Sequence, residues 1–121
     1  MNAACRCPVE RVGVRRGEGE IVDHIKLFAP LDEAAHPGPG ARALTLCPGR
    51  AYDRSPCGTG CSARMAVLHA RGELGVGETL VGKSIIDSEF HCRIMDETTV
   101  GGRAAIRPII GGRAWVTGTH Q

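Results

Sequence analysis

An α+β fold with one helix and a mostly antiparallel sheet is what this chain of 121 residues predicts. Only residues 63–71 have clear helical character. Short stretches of strand-like alternation lie on both sides of that segment, and glycine pairs at 101–102 and 111–112 separate the last of them. The length is that of one domain, so a single α+β lobe is the expected architecture.

The segment before the helix predicts a leader, two strands and a long loop. Residues 1–20 are rich in Arg, Glu and Gly without clear periodicity, which predicts a poorly packed leader. Residues 21–28, IVDHIKLF, alternate well enough to predict a strand. Residues 30–40 hold several prolines and glycines and predict a loop. A short strand at 43–47 then leads into a turn at Pro48 and Gly49.

The helix and the strands after it follow from side-chain spacing. The helix carries small side chains at i, i+3, i+4 and i+7, namely Ala63, Ala66, Val67 and Ala70. This stripe is predicted to pack against the sheet. His69 in the last turn and Gly72 just beyond it predict where the helix ends. The later strands are predicted at 78–81, 89–95, 104–109 and 113–117.

Composition excludes several classes of function. The chain has 15 Lys and Arg against 13 Asp and Glu, and its net charge of +2 is scattered without interleaved aromatics, so nucleic-acid binding is not expected. No apolar run is as long as a membrane span, and residues 1–19 lack the apolar core of a secretory signal, which predicts a cytoplasmic location. The six cysteines are therefore expected to be reduced thiols.

The stretch DRSPCGTG at 53–60 is the strongest functional signal, because it places Cys57 between a turn and a helix start. Pro56 sets the backbone at the mouth of the turn, while Gly58 and Gly60 leave the backbone bare. Amide groups at a helix start lack partners within the helix, so they favour an anion and favour thiolate over thiol. A small carboxylate could therefore bind beside a reactive sulfur.

This string and its flanks resemble the proline racemase and 4-hydroxyproline epimerase family. The matching flanks are CPGRAY at 47–52, SIIDSEF at 84–90, TVGGR at 99–103 and GRAWVTG at 112–118. The resemblance extends from about residue 21 to the end, and the form CPGRAYDRSPCGTG is most similar to the 4-hydroxyproline epimerases.

The resemblance implies a fold of the diaminopimelate-epimerase type. Such enzymes have two pseudo-symmetric α+β lobes, each with a sheet around a central helix and a catalytic cysteine at the helix start. Residues 21–121 match the C-terminal lobe, whereas the Cys-Gly-His type segment of the N-terminal lobe does not occur in this sequence. The chain alone is thus expected to be inactive or nearly so, unless a homodimer partner or a complementing N-terminal lobe supplies the missing cysteine.

Site roles also follow from the resemblance. Cys57 would be one of two thiol acid/bases, Asp53 would hold the substrate amine, and the Gly58 and Thr59 amides would hold its carboxylate. Inverting the C2 carbon of proline or 4-hydroxyproline needs proton removal on one face and proton delivery on the other. Backbone N–H donors can stabilise the developing negative charge, so no cofactor or metal is expected.

Less specific explanations exist for both side chains, and Cys57 could simply be a buried small hydrophobe. Asp53 could simply cap the turn or pair with Arg54. Cys61 stands where the family usually has threonine, which indicates a packing change, although a Cys57–Cys61 redox pair or metal clip is an alternative. Asp87 and Cys92 stand where the family frequently has glycine, so local repacking is expected around both, with Cys92 buried in its strand.

Three other functions stay open on the sequence alone. A trans-3-hydroxyproline dehydratase of the same superfamily often has threonine at the position of Cys57, so the cysteine counts against it. A small thiol redox or zinc-binding module would use Cys57 and Cys61 together with other cysteines. A non-catalytic fragment would keep only the fold.

Overall fold

The computed structural model describes residues 9–16, 20–31, 40–47 and 51–121. Within these ranges the elements are, in chain order, β1 (Val9–Arg16), β2 (Glu20–Pro30), β3 (Ala41–Cys47), β4 (Ala51–Asp53), α1 (Gly58–Ala70), β5 (Thr79–Lys83), β6 (Glu89–Val100) and β7 (Arg103–Gly111). This arrangement confirms the predicted α+β class, with one helix and a curled, mostly antiparallel sheet.

The position of α1 in the chain follows from the strand order of the sheet, which is β1-β2-β3-β5-β6-β7 with β4 paired to β3. Neighbouring strands are antiparallel except β3 and β5, which pair in parallel at Ala41 with Gly82 and Arg42 with Lys83. A parallel pair cannot be joined by a tight turn and needs a crossover, usually a helix. The helix α1 lies between β3 and β5 in the chain and provides that crossover. Its first turn follows the end of β4.

The first strand lies inside the segment predicted to be a poorly packed leader. β1 pairs antiparallel with β2 from Val9 opposite Leu27 to Arg16 opposite Glu20. Val9–Arg16 of the predicted leader therefore form a strand of the sheet. Its own apolar pattern is weak, and pairing with β2 determines the strand. The division of the chain at residue 20 into leader and lobe stays a prediction.

The core forms between α1 and the second half of the sheet. Its buried residues are Cys61, Met65, Leu68, Leu74, Leu80, Cys92 and Ile94. The prediction that the small stripe faces the sheet is wrong, since Ala66, Val67 and Ala70 are exposed. The face of the helix that is buried instead carries the side chains at 61, 65 and 68, which are spaced i, i+4 and i+7. These are larger, and burying them removes more apolar surface from water.

The remaining strand predictions have mixed outcomes. Those at 43–47, 78–81, 89–95 and 104–109 correspond to β3, β5, β6 and β7. The predicted strand at 113–117 is wrong, because residues 112–121 have no regular secondary structure. β7 is the last strand of the described sheet, and the RAWVT segment does not pair with its outer edge. The loop predicted at 30–40 and the turn at Pro48 and Gly49 fall largely outside the described residues.

The end of α1 confirms the predicted stop. Gly72 has a φ of 73°, and the amides of Gly72 and Glu73 donate to the carbonyls of His69 and Leu68 at 2.9 and 2.8 Å. These two bonds are the pair that closes a helix with a left-handed glycine. Among the described residues, no helix is long and apolar enough to cross a membrane.

His69 at this helix end makes stability depend on pH. Its Nδ1 lies 2.8 Å from the Leu74 carbonyl oxygen and its Nε2 lies 2.9 Å from Glu97 Oε1. Both partners are acceptors, so the protonated ring can donate to both. The Leu74 carbonyl, and after it the Glu97 carboxylate, raise the pKa of His69 above 6.5.

A group whose pKa is higher in the folded than in the unfolded protein stabilises the fold when the pH is below its unfolded pKa. That stabilisation is lost as the pH rises through its folded pKa. We therefore expect the free energy of unfolding in urea to fall as the pH rises above 6.5 and through the raised pKa of His69. The fall should be smaller in His69→Gln and unchanged in the exposed control His120→Gln. An identical pH dependence in His69→Gln and the parent protein would contradict this assignment.

Candidate active site

The turn between β4 and α1 is built by two consecutive side-chain bonds to the backbone. Asp53 Oδ1 accepts a hydrogen bond from the Ser55 amide at 2.8 Å. Ser55 Oγ then accepts one from the Cys57 amide at 3.0 Å. Each bond spans two residues, as in Asx and Ser/Thr turns. Asp53 therefore caps the turn through one of its two carboxylate oxygens.

Cys57 is the N-cap of α1 and has an unusual backbone conformation, with φ 64° and ψ 103°. A positive φ costs a residue with a side chain about 1–3 kcal/mol, so surrounding contacts must hold it. Its carbonyl accepts from the Cys61 amide at 2.9 Å, and its sulfur accepts from the Gly60 amide at 3.3 Å. The sulfur thus occupies the place of an N-cap oxygen. The thiol is free and half-buried.

Two more amides lie at the same end of the helix. Gly58 and Thr59 are the first two residues of α1, and their N–H groups have no carbonyl four residues earlier within the helix. No acceptor among the described residues bonds to either amide. Gly58 is half-buried and Thr59 is exposed. The structure therefore brings together Cys57 and both predicted carboxylate donors at one helix start, with Asp53 at the far end of the turn.

Cys61 lies beneath this turn and packs within the core. It is 3% exposed, and its sulfur donates to the Pro56 carbonyl at 3.3 Å. A Cβ atom added to Gly82 would lie 2.8 Å from that sulfur, so the fit is tight. The Cys57 thiol is not part of a disulfide, so the Cys57–Cys61 redox pair is not formed. Across the same described ranges, no group of three or more His, Cys, Asp or Glu residues is arranged to hold a metal ion.

Residues 84–88 form a loop against the turn, and its serines were not identified from the sequence. Ser84 is fully buried, and its Oγ lies 2.7 Å from Ser88 Oγ. Ser88 Oγ in turn donates to the Arg54 carbonyl at 3.1 Å. The only sequence signal is the presence of a serine at each end of the SIIDS segment. That spacing allows both hydroxyls to fold inward.

The structure explains one of the two positions at which the resemblance implies a frequent glycine. Asp87 has a φ of 64°, a conformation that glycine adopts without strain. Arg42 Nη2 lies 2.6 Å from Asp87 Oδ1, and this hydrogen bond is the main reason that the pKa of Asp87 is lowered. Cys92 in β6 is fully buried in the core, as predicted.

An open cleft of about 780 Å³ lies beside the turn. Arg54 and Ser55 line it on the turn side, Asp87 and Phe90 on the loop side, and Trp115 on the side of the C-terminal segment. The Trp115 side chain is largely exposed. Arg54 and Ser55 of the turn are therefore accessible from this side of the lobe, whereas Cys57, Gly58 and Thr59 do not line the cleft.

Comparison with known proteins identifies the family and the fold of this chain. A sequence model of the proline racemase family matches residues 3–121. The structure is similar to that of a hydroxyproline epimerase from Agrobacterium vitis with bound trans-4-hydroxy-L-proline, with 38% sequence identity and a TM-score of 0.71 over 80% of this chain. It is also similar to a probable proline racemase from Agrobacterium radiobacter K84 with bound carbonate, with 26% identity and a TM-score of 0.66 over 93% of this chain.

These relatives are longer than the chain. The matched region amounts to 27% of the Agrobacterium vitis protein and 50% of the Agrobacterium radiobacter protein. The similarity is thus to one part of each.

The strained loop residue Asp87 gives a test of the loop geometry. Asp87→Gly removes the ion pair with Arg42 but also removes the left-handed strain, whereas Asp87→Ala removes the ion pair and keeps the strain. We expect Asp87→Gly to be more stable than Asp87→Ala in urea denaturation. At the exposed neighbour Ile86, where φ is not positive, the order should reverse and alanine should be the more stable substitution. Equal or greater stability of Asp87→Ala than of Asp87→Gly would contradict the described loop.

Proposed function

Because the chain belongs to the proline racemase family, we propose that it forms the second-lobe part of a cofactor-independent amino-acid epimerase acting at C2 of 4-hydroxyproline. The observation that carries this proposal is the free, half-buried Cys57 thiol at the open end of α1, beside the amides of Gly58 and Thr59. A nucleophilic sulfur and anion-binding donors within one turn suit a substrate that carries a carboxylate next to the reacting carbon.

Cys57 is the acid/base group for one face of the substrate. As thiolate, its sulfur takes the C2 proton, and the electron pair of the broken C–H bond stays on C2 and is delocalised into the adjacent carboxylate. A second thiol, from a first lobe, delivers a proton to the opposite face. In the reverse direction the Cys57 thiol gives up its proton and the other sulfur removes one. This exchange of roles requires two sulfurs that differ by one proton.

The amides of Gly58 and Thr59 receive the substrate carboxylate. They are the N–H groups of α1 that the structure leaves without an acceptor among the described residues, and the third amide, of Gly60, is bound to the Cys57 sulfur. A negative charge at a helix start is stabilised by these donors and by the helix dipole. As C2 loses its proton, charge moves onto the carboxylate and the same donors bind it more strongly.

Asp53 holds the substrate amine. Its Oδ1 accepts from the Ser55 amide, which orients the carboxylate and leaves Oδ2 for a cationic nitrogen. Among the described residues, no Lys, Arg or His forms an ion pair with Asp53, including its neighbour Arg54. Turn capping and amine binding are thus compatible roles for one carboxylate.

The choice of 4-hydroxyproline rests on the Agrobacterium vitis epimerase, which has trans-4-hydroxy-L-proline bound and shares 38% identity with this chain. Carbonate bound to the probable proline racemase is consistent with a family site that accepts a small carboxylate-like anion. The cysteine at position 57 favours inversion over dehydration of trans-3-hydroxyproline. Proline is the second substrate to be compared.

The proposed function is tested in two proteins. The chain of 121 residues alone should show no more than trace inversion of proline or of cis- and trans-4-hydroxyproline, measured by chiral chromatography, because one acid/base group cannot serve both faces. A chimera in which this chain replaces the matching part of the Agrobacterium vitis epimerase should invert trans-4-hydroxy-L-proline. Cys57→Ala should lower its kcat at least about 100-fold.

Cys47→Ser is the matched control, because Cys47 is also a free, half-buried thiol but lies in β3 rather than at the helix start. It should keep the activity of the chimera. Substantial turnover by the monomeric chain alone, or an active Cys57→Ala chimera, would refute the proposal. Dehydration of trans-3-hydroxyproline without inversion would assign the dehydratase function instead.

A further inference from the structure

The bonds within residues 53–57 and the start of α1 set the shape of this turn, and Asp53 at its start pairs with Thr45 in β3. They join Asp53 to Ser55, Ser55 to Cys57, and Cys57 to the first turn of the helix. The Ser88 hydroxyl adds a contact from a distant part of the sequence, since it donates to the Arg54 carbonyl 34 residues earlier in the chain. This bond reaches the turn at its centre.

The direction of the hydrogen bonds around Ser88 can be assigned by counting hydrogens. A hydroxyl has one hydrogen, and that of Ser88 is used by the Arg54 carbonyl. In the 2.7 Å contact between the two hydroxyls, Ser84 must therefore be the donor. Ser84 Oγ also accepts from the amides of Ile86 and Ser88 at 3.3 and 3.2 Å. The single hydrogen and both lone pairs of the Ser84 hydroxyl are thus used.

The loop of residues 84–88, called the serine loop below, is also fixed to the sheet. Ser84 directly follows β5, and its amide donates to the Ser88 carbonyl at 2.9 Å. Arg42 in β3 donates through Nη1 to the Ser84 carbonyl at 3.2 Å and pairs with Asp87 through Nη2. The two parallel strands therefore hold the loop, and the loop presents the Ser88 hydroxyl to the turn.

We propose that Ser88 is a positioning residue for Cys57: held by the buried Ser84, it fixes the Arg54 carbonyl and so keeps the Cys57 sulfur beside the Gly58 and Thr59 amides. The role of that sulfur rests on the proposed function. Ser88 itself does not touch the reacting atoms. It acts through the turn, which must hold Cys57 at a φ of 64°.

Loss of the Ser88 hydroxyl has two physical consequences. The Arg54 carbonyl loses its donor, and the Ser84 hydroxyl is left without an acceptor in a fully buried place. With the tether gone, Cys57 can relax toward the negative φ values that its side chain prefers. That relaxation moves the sulfur away from the Gly60 amide and from the helix start.

The test uses the chain of 121 residues and two alkylating reagents of similar size. In each, the thiolate attacks the CH2 carbon, a C–S bond forms and iodide leaves. Iodoacetate carries a carboxylate and iodoacetamide does not. Mass spectrometry of peptides gives the rate of each reagent at Cys57. The ratio of the two rates measures whether the sulfur and the anion-binding amides lie together. Cys47 in the same sample is the internal reference.

The decisive variants are Ser88→Thr and Ser88→Val, which have nearly the same shape and differ by the hydroxyl. We expect Ser88→Thr to keep the iodoacetate preference of the parent at Cys57. In Ser88→Val this preference should fall about tenfold. The ratio of the two rates at Cys47 should not change in either variant. Ser62→Ala is a further control, because its hydroxyl bonds the Gly58 carbonyl inside the helix and does not reach Arg54.

The outcomes separate the two proposals. A parent protein without iodoacetate preference at Cys57 contradicts the proposed carboxylate site, and with it the role of Ser88. A preference in the parent that is equal in Ser88→Val, or lost equally in Ser88→Thr, overturns the positioning role and leaves the proposed function standing. If Ser88→Val does not fold by circular dichroism, Ser84→Ala takes its place, since it keeps Ser88 and removes the hydroxyl that orients it; an unchanged preference there overturns the positioning role as well.

Discussion

The structure of the site depends on one constrained residue, Cys57, whose backbone takes a left-handed conformation at the point where a strand turns into a helix. In this conformation the side chain caps the helix and its sulfur accepts the Gly60 amide. A serine or aspartate oxygen would satisfy the same amide, as at most helix starts. Placing a thiol there instead puts a nucleophile where backbone donors gather, and the surrounding turn must hold the strain.

The helix α1 serves both the fold and the site. As the crossover between the parallel strands β3 and β5, it must pack on the sheet, and Met65 and Leu68 anchor it there. The same crossover places its first turn at the end of β4, where the DRSPCGTG segment enters. Packing in the second half of the helix therefore leaves its first amides clear of the core. Cys61 lies between these two parts and joins the core to the Pro56 carbonyl.

The sequence was sufficient to predict the turn and the helix end, because Pro56 and Gly72 act through their own backbone preferences. The helix itself begins at Gly58, before the helical pattern that starts at residue 63. The packing face of α1 was not predictable in this way, since two stripes with similar spacing compete and only the facing sheet decides between them. β1 and the unpaired RAWVT segment show the same limitation for strands, whose formation depends on a neighbour. The serine loop depends on contacts across 34 residues, which no local pattern encodes.

Proton transfer by the Cys57 sulfur at one face of the substrate is the central claim, and deuterium exchange measures it most directly. The protein is the chimera with the Agrobacterium vitis epimerase in which the first-lobe thiol is replaced, so that Cys57 is the remaining acid/base group. In D2O, proton NMR should show loss of the C2 hydrogen from only one of the two C2 epimers of 4-hydroxyproline, without inversion. Exchange of both epimers, or equal exchange after Cys57→Ala, would contradict the account.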